Sequence, residues 1–432
     1  MSRYTPWIIV ALAISLNYGL KTLLLQPSGH DVFYSFPFTK SVRYSDYLFQ
    51  KWNLVLVAFV FLFWWIRKQG KFINALRGSI LVIALISLVT FGAHIFSFQR
   101  WFEFDDYRVI GHHYAVDGTP KQNEMGAGSS YYYGIGLVYL VVGWFGTHFE
   151  LYNGLGLLIY SLIGVTVFFI ARKLNLNKTV SLLISLFFST SPTYYRETLI
   201  MLELLGDGFK LLLFAISCLL LLKKFYPGSV IFAAAALEFG ISRTHFIALP
   251  LIMICLLFRK TKEPKRDWIL SLFLFLLMSF SYVSALGTHP PKIIDTDNLL
   301  SNWTQLLRVA DTVFGVTIPH PIIYTFLAFF KWLAGNYPYV SPIAGGGIVL
   351  GLIFLSITLF YRKKYLPAKL IILGSTIIVS AIIFPTLMGI RLVYKIESLT
   401  AQYSDVFPAA PTSYGVFSTF GLVIVLSGLG HI

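Results

Sequence analysis

An all-α, polytopic integral membrane protein is the fold class this sequence predicts. Only 12% of its 432 residues are charged while 56% are hydrophobic; a soluble domain carries about twice that charged fraction. Apolar runs close to the ~20 residues that a helix needs to cross a bilayer recur along the chain. The Lys and Arg residues behind the formal charge of +15 fall in short clusters between those runs, as the positive-inside rule requires. No basic domain gathers them, which argues against a nucleic-acid partner. Cys218 and Cys255 both lie within apolar runs, where cysteine behaves as a small hydrophobe and reports nothing about redox compartment.

The first candidate spans are residues 7–25, 53–66 and 78–98. The first has only Arg3 ahead of it and no small-residue cleavage site, so it reads as an anchor rather than a signal peptide. The second is short, but Trp64-Trp65 followed by Arg67-Lys68 marks an interfacial end. The basic connection 67–77 then belongs in the cytoplasm, which places residues 26–52 and 99–130 outside. Residues 131–149 are apolar enough to span, yet Gly134, Gly136, Gly143 and Gly146 interrupt them. Were they to cross, the basic stretch from Arg172 to Lys178 would land outside. Read as an interfacial helix on the outer surface, they keep that stretch inside.

Further spans follow at 150–171, 178–195, 199–222, 228–241, 245–258 and 267–286, with the basic turns Lys223-Lys224 and 259–266 inside. Residues 228–258 as one helix would reach roughly 46 Å, too long for a bilayer. Ser242-Arg243-Thr244-His245 therefore reads as an outer turn between two short spans. Residues 287–342 form the largest outer loop, with an amphipathic piece at Tyr324–Leu333. Spans at 343–360, 367–390 and 413–431 follow, with 361–365 inside. The expectation is about twelve spans with outer-face interfacial helices and both ends cytoplasmic. Four regions result: an N-terminal hairpin (1–77), a core (78–286) holding the acidic loop (99–130) and surface helix (131–149), the outer loop (287–342) and C-terminal helices (343–432).

On this topology the outer face collects Asp105, Asp106, Arg108, His112, His113, Arg196, Glu197, Arg243, His245, Arg391 and Lys395. Acids able to deprotonate an acceptor or bind a cation, beside arginines able to hold a phosphate, suit transfer from a lipid-linked donor. A carboxylate pair at a membrane lip is expensive to keep, and Asp105-Asp106 follows a span directly. Glu203, Asp207 and Lys210 share one helix face at i, i+4 and i, i+3 spacing, either as an ion-paired cluster facing the bundle interior or as part of a site.

The order of these features resembles the GT-C glycosyltransferases, and within them the branch of protein O-mannosyltransferases and lipid A aminoarabinose transferases. Glu103-Phe-Asp-Asp-Tyr-Arg-Val-Ile-Gly-His-His-Tyr-Ala-Val-Asp-Gly-Thr-Pro120 is similar to that family's first outer loop. A surface helix ending Trp144-Phe-Gly146, a span ending Ile170-Ala-Arg-Lys-Leu174, Ser189-Thr-Ser-Pro192 and Ser242-Arg-Thr-His-Phe246 follow in the family's order. The likeness covers about residues 78–260. It implies a sugar donor linked to polyprenyl phosphate, a lipid, glycan or protein acceptor, and surrounding membrane lipid.

Carried over, Asp105 is the candidate general base, with Asp106 its neighbour or the base itself. Glu203 or Asp207 is a candidate to share a divalent metal, Mg²⁺ or Mn²⁺, with Asp105. Arg243 and Arg391 are candidates for the lipid phosphate, and Arg108, His112, Lys121, Arg196 and His245 for further substrate contacts. Lys121 stands nearest the position of a Lys-Pro-Pro that this sequence lacks, and Tyr152-Asn153 replaces an Arg of the family. An extra N-terminal hairpin precedes the acidic loop, and no soluble C-terminal domain is expected.

Two other function classes fit a polytopic chain. A transporter or flippase predicts paired internal repeats and broken midplane helices; no repeat is visible, while 228–258 has the form of a broken helix. A surface-polysaccharide polymerase or ligase predicts arginines and histidines in the late outer loop, where residues 287–342 hold few. Asp295-Thr-Asp297 echoes an Asp-x-Asp metal motif, but such triplets are common by chance.

Overall fold

The computed structural model describes residues 5–24, 57–66, 78–95, 145, 148–190, 208–238, 253, 257, 273, 340–387 and 415–432. These residues are helical with no strand among them. In chain order the helices are α1 (Thr5–Leu24), α2 (Val57–Ile66), α3 (Ile80–Ala93), α4 (Phe149–Lys173), α5 (Lys178–Ser189), α6 (Phe209–Leu222), α7 (Tyr226–Glu238), α8 (Val340–Tyr361), α9 (Tyr365–Leu387) and α10 (Gly415–Leu429). Each lies within, or within a few residues of, a run expected to span. Helix α4, with 25 residues, is long and apolar enough to cross a membrane. The chain divides into two compact units that interleave in sequence.

The first unit comprises Met1–Thr166, Thr198–Thr244 and Leu276–Thr288. Its centre is the α6–α7 hairpin, against which α1 packs through α7. Helix α6 is buried almost all round, from Lys210 to Leu221, and α7 is buried from Pro227 to Ala236. Small residues allow this close approach: Ala233, Ala234, Ala235 and Ala236 are buried on α7. Ser217 donates to the Ser229 carbonyl oxygen at 2.7 Å, so the buried hydroxyl is satisfied across the pair. Phe232 meets Phe59 of α2 edge to face at 5.5 Å.

At the α6–α7 turn, Trp65 stacks on Phe225 at 5.5 Å, and Lys223 Nζ lies 5.1 Å from the centre of the Trp65 ring. This is cation–π geometry. Gly228 leaves the room that the Phe225 ring fills, since a Cβ there would collide with it. The interfacial end expected at Trp64-Trp65 is thus an aromatic cluster capped by a lysine.

Helix α3, in the same unit, is two-sided: Val82, Ile86 and Thr90 are buried while Leu81, Leu85 and Leu88 are exposed. Its one buried polar side chain donates to its own helix, Thr90 Oγ1 to the Ile86 oxygen at 2.7 Å.

The second unit comprises Val167–Glu197, His245–Phe275 and His289–Ile432. Helix α9 lies between α8 and α10, and α10 also packs on α5. The α9–α10 contact is close because Gly374 has no side chain: a Cβ would collide with the Gly421 carbonyl oxygen and Val425. Phe188 of α5 meets Phe420 of α10 edge to face. Asn177 caps α5, its side-chain oxygen accepting from Val180 N at 2.8 Å, which satisfies one donor that the first helical turn leaves open.

Three helix ends share one design. Asn175, Lys224 and Lys363 have φ of 67°, 62° and 59°. In each case the following N–H closes a six-residue ring, from Leu176 to Ala171, from Phe225 to Leu220 and from Lys364 to Leu359. This is the Schellman ending, normally given to glycine because a Cβ in left-handed backbone costs about 1–2 kcal/mol. Each leads directly into a second helix across a turn carrying exposed Lys or Arg.

Candidate functional site

The site residues read from the sequence lie outside the described residues: Asp105, Asp106, Arg108, His112, Lys121, Arg196, Glu203, Asp207, Arg243, His245 and Arg391. So do residues 131–144 of the expected surface helix. What the structure describes is the helices that lead into them.

Helix α3 ends at Ala93, twelve residues before Asp105. His94 closes it, its backbone N–H bonded to the Thr90 oxygen. The helix that precedes the acidic loop in sequence is thus regular, with one side buried and the other exposed.

At the end of the stretch expected to form the surface helix, Phe145 meets Tyr152 edge to face at 5.4 Å, and α4 starts at Phe149. Tyr152 and Asn153 are the fourth and fifth residues of α4. Both are buried. Two neutral hydrogen-bonding side chains thus occupy the interior at this helix end.

Helix α6 brings a lysine into the interior of the first unit. Lys210, in its first turn, is 0% exposed. Taking an ammonium out of water costs several kcal/mol unless a counter-charge accompanies it. Asp207 precedes Lys210 by three residues and Glu203 precedes Asp207 by four, the spacings that place side chains together on a helix face. Sequence reading named this triad but left open whether it faces the interior. For Lys210 the interior is now the answer.

Helix α7 ends at Glu238, four residues short of the Ser242–His245 stretch expected to be a turn. Among the described residues no group of three His, Cys, Asp or Glu side chains is placed to hold a metal ion. The ligands expected for Mg²⁺ or Mn²⁺ (Asp105, Glu203 and Asp207) lie outside those residues.

One arrangement escaped sequence reading. His431 Nε2 lies 3.1 Å from the Leu174 oxygen, and Lys364 Nζ donates to the Ile432 oxygen at 3.0 Å. Residues after α10 thus join the α4–α5 and α8–α9 turns. Nothing local in the sequence announces contacts across such separations.

No protein-family model, no curated protein and no solved structure matches this chain.

Proposed function

We propose that this protein is a polytopic membrane glycosyltransferase of the GT-C type, transferring a sugar from a polyprenyl-phosphate donor to an acceptor on the outer face of the membrane. The observation that carries the reading is the Asp105-Asp106 pair, lying in sequence between the end of apolar helix α3 and the helix α4 that is long enough to cross a bilayer. Buried polar groups at the proposed outer ends of α4 and α6 support it: Tyr152, Asn153 and Lys210.

Membrane embedding by about twelve spans is part of this reading. Besides α4, the backbones of α1, α8 and α9 run for 20, 22 and 23 residues, roughly 30–35 Å at 1.5 Å per residue. Exposed Leu81, Leu85 and Leu88 on α3 and exposed Leu350, Phe354 and Ile357 on α8 suit contact with lipid chains. Exposed cations at the α4–α5, α6–α7 and α8–α9 turns suit a cytoplasmic side, which puts the acidic loop outside.

In the reaction, the carboxylate of Asp105 or Asp106 takes the proton of an acceptor hydroxyl or amine. The acceptor attacks the anomeric carbon from the face opposite the phosphate. As the new bond forms, the bond between the anomeric carbon and the phosphate oxygen breaks. Polyprenyl phosphate leaves and the anomeric configuration inverts. Arg243 and Arg391 hold the leaving phosphate, where fixed positive charge lowers the barrier as negative charge develops. Lys210 follows Asp207 by three residues, the spacing at which a lysine accompanies a carboxylate on one helix face. A divalent cation shared by Asp105 with Glu203 or Asp207 would add further positive charge at the phosphate.

The test is sugar release from a polyprenyl-phosphate donor by purified protein carrying Asp105→Asn or Asp106→Asn. Loss of a general base lowers turnover by about 10²–10⁴-fold, so at least one variant falls by that factor. Wild-type turnover in both variants refutes the catalytic reading of this loop. Donor crossing between leaflets without sugar release would instead indicate a flippase.

A further inference from the structure

Three segments distant in sequence meet at one end of the second unit. They are the turn after α4, the turn between α8 and α9, and the residues after α10, tied by the bonds of His431 to Leu174 and of Lys364 to Ile432. Around this junction Arg172, Lys173, Lys178, Arg362, Lys363 and Lys364 are all exposed. Segments 172–178, 361–369 and 430–432 contain no Asp or Glu. A solvated face ordinarily mixes both signs, because like charges in proximity repel. The positive-inside rule accounts for cations in each turn taken singly, but not for a tertiary arrangement that gathers two such turns at one place.

The second observation is on α8. Leu350, Phe354, Ile357 and Tyr361 recur at i, i+4, i+7 and i+11, and all are exposed. The stripe ends at Tyr361, which is 90% exposed, and runs without interruption into Arg362, Lys363 and Lys364, followed by exposed Tyr365. Apolar chain, then tyrosine, then cations is the order in which acyl chains, the interfacial layer and headgroup phosphates follow one another along a bilayer normal.

We infer that this end of the second unit is a binding site for an anionic phospholipid. The acyl chains lie along the exposed stripe of α8 and the headgroup phosphate among Lys173, Lys178, Arg362 and Lys363. Arg172 and Lys364 have structural bonds as well, Arg172 Nη1 donating to the Leu176 oxygen and Lys364 Nζ to the Ile432 oxygen. They hold the turns in place beneath the headgroup. The inference rests on the membrane embedding proposed above, and is independent of the sugar-transfer chemistry.

The experiment uses the full chain, purified in detergent and analysed by native mass spectrometry. It is equilibrated with equal amounts of phosphatidylglycerol and phosphatidylcholine of identical chains. Juxtamembrane cations contribute about five-fold each to anionic-lipid binding, so wild type retains phosphatidylglycerol in clear excess. The Lys173→Gln, Arg362→Gln, Lys363→Gln triple variant approaches parity. Lys224→Gln, which removes an exposed lysine from the α6–α7 turn of the other unit, keeps the wild-type ratio. Equal retention of the two lipids by wild type overturns the inference, whatever the variants do. An unchanged ratio in the triple variant overturns it too, as does displacement of the lipid by millimolar inorganic phosphate, which would mark a site for soluble anions. Failure of the underlying membrane reading shows separately, as release of the protein from native membranes by alkaline carbonate.

Discussion

The α6–α7 hairpin and helix α8 are built from much the same apolar alphabet, yet they meet opposite surroundings. In the hairpin, Leu211 to Phe214, Cys218 to Leu221 and Val230 to Ala236 are buried with hardly an exposed side chain between them. On α8, Leu350, Ile353, Phe354 and Ile357 are exposed while Ser356 and Leu359 are buried. In water such a contrast would be written as a polar and an apolar face. In lipid both surroundings are apolar, so the distinction moves to size. Small residues allow helices to approach closely, as Ser217, Ser229 and Ala233–Ala236 do among the larger side chains buried in the hairpin, and the exposed side chains of α8 are large ones.

Substitutions in the two regions test this contrast. The largest effect belongs to Phe232→Ala, which empties a fully buried position against Phe59. Phe→Ala in a core costs about 3–5 kcal/mol. On the proposed membrane embedding the lower end is expected, because a side chain released into lipid would keep an apolar surrounding and mainly the cavity cost would remain. Unfolding in mixed micelles by SDS titration measures it; a loss below about 1 kcal/mol would mean that the hairpin is loosely packed.

Gly374→Ala comes next. Its methyl group would collide with the Gly421 carbonyl oxygen and Val425, and overpacking of this kind costs about 1–3 kcal/mol. The same titration reads it, and an unchanged midpoint would show that α9 and α10 can separate without cost. The smallest effect is that of Phe354→Ala on the exposed stripe of α8. It changes stability by less than about 0.5 kcal/mol, as surface substitutions away from special features do. A loss comparable to that of Phe232→Ala would place Phe354 inside a protein interface instead of against lipid.

Much of the helical framework could be read from residue order. The runs 150–171, 343–360, 367–390 and 413–431 became α4, α8, α9 and α10 with shifts of one to three residues at most ends, because a long apolar run flanked by cations has few alternatives to a helix. The turns were legible as basic clusters, but their left-handed Asn175, Lys224 and Lys363 were not. Those positions carry no glycine, and the Schellman bonds that hold them are seen only once both helices are in place. The candidate site was legible as chemistry, an acidic pair and scattered arginines. Its geometry was not, since the separation of Asp105 and Arg391 in space is set by tertiary packing and not by residue order.

By itself, the sequence determined that the described residues are helical, that α4 is long and apolar enough for a bilayer, and that cations collect in the described turns. Hydrophobic length and charge placement are local properties, and they suffice for that. Which apolar face is buried, that Lys210 points inward without exposure, and that two basic turns converge on the residues after α10 were decided only by the tertiary structure. Each depends on close packing between segments far apart in the chain, where size and shape select partners that hydrophobicity alone cannot distinguish.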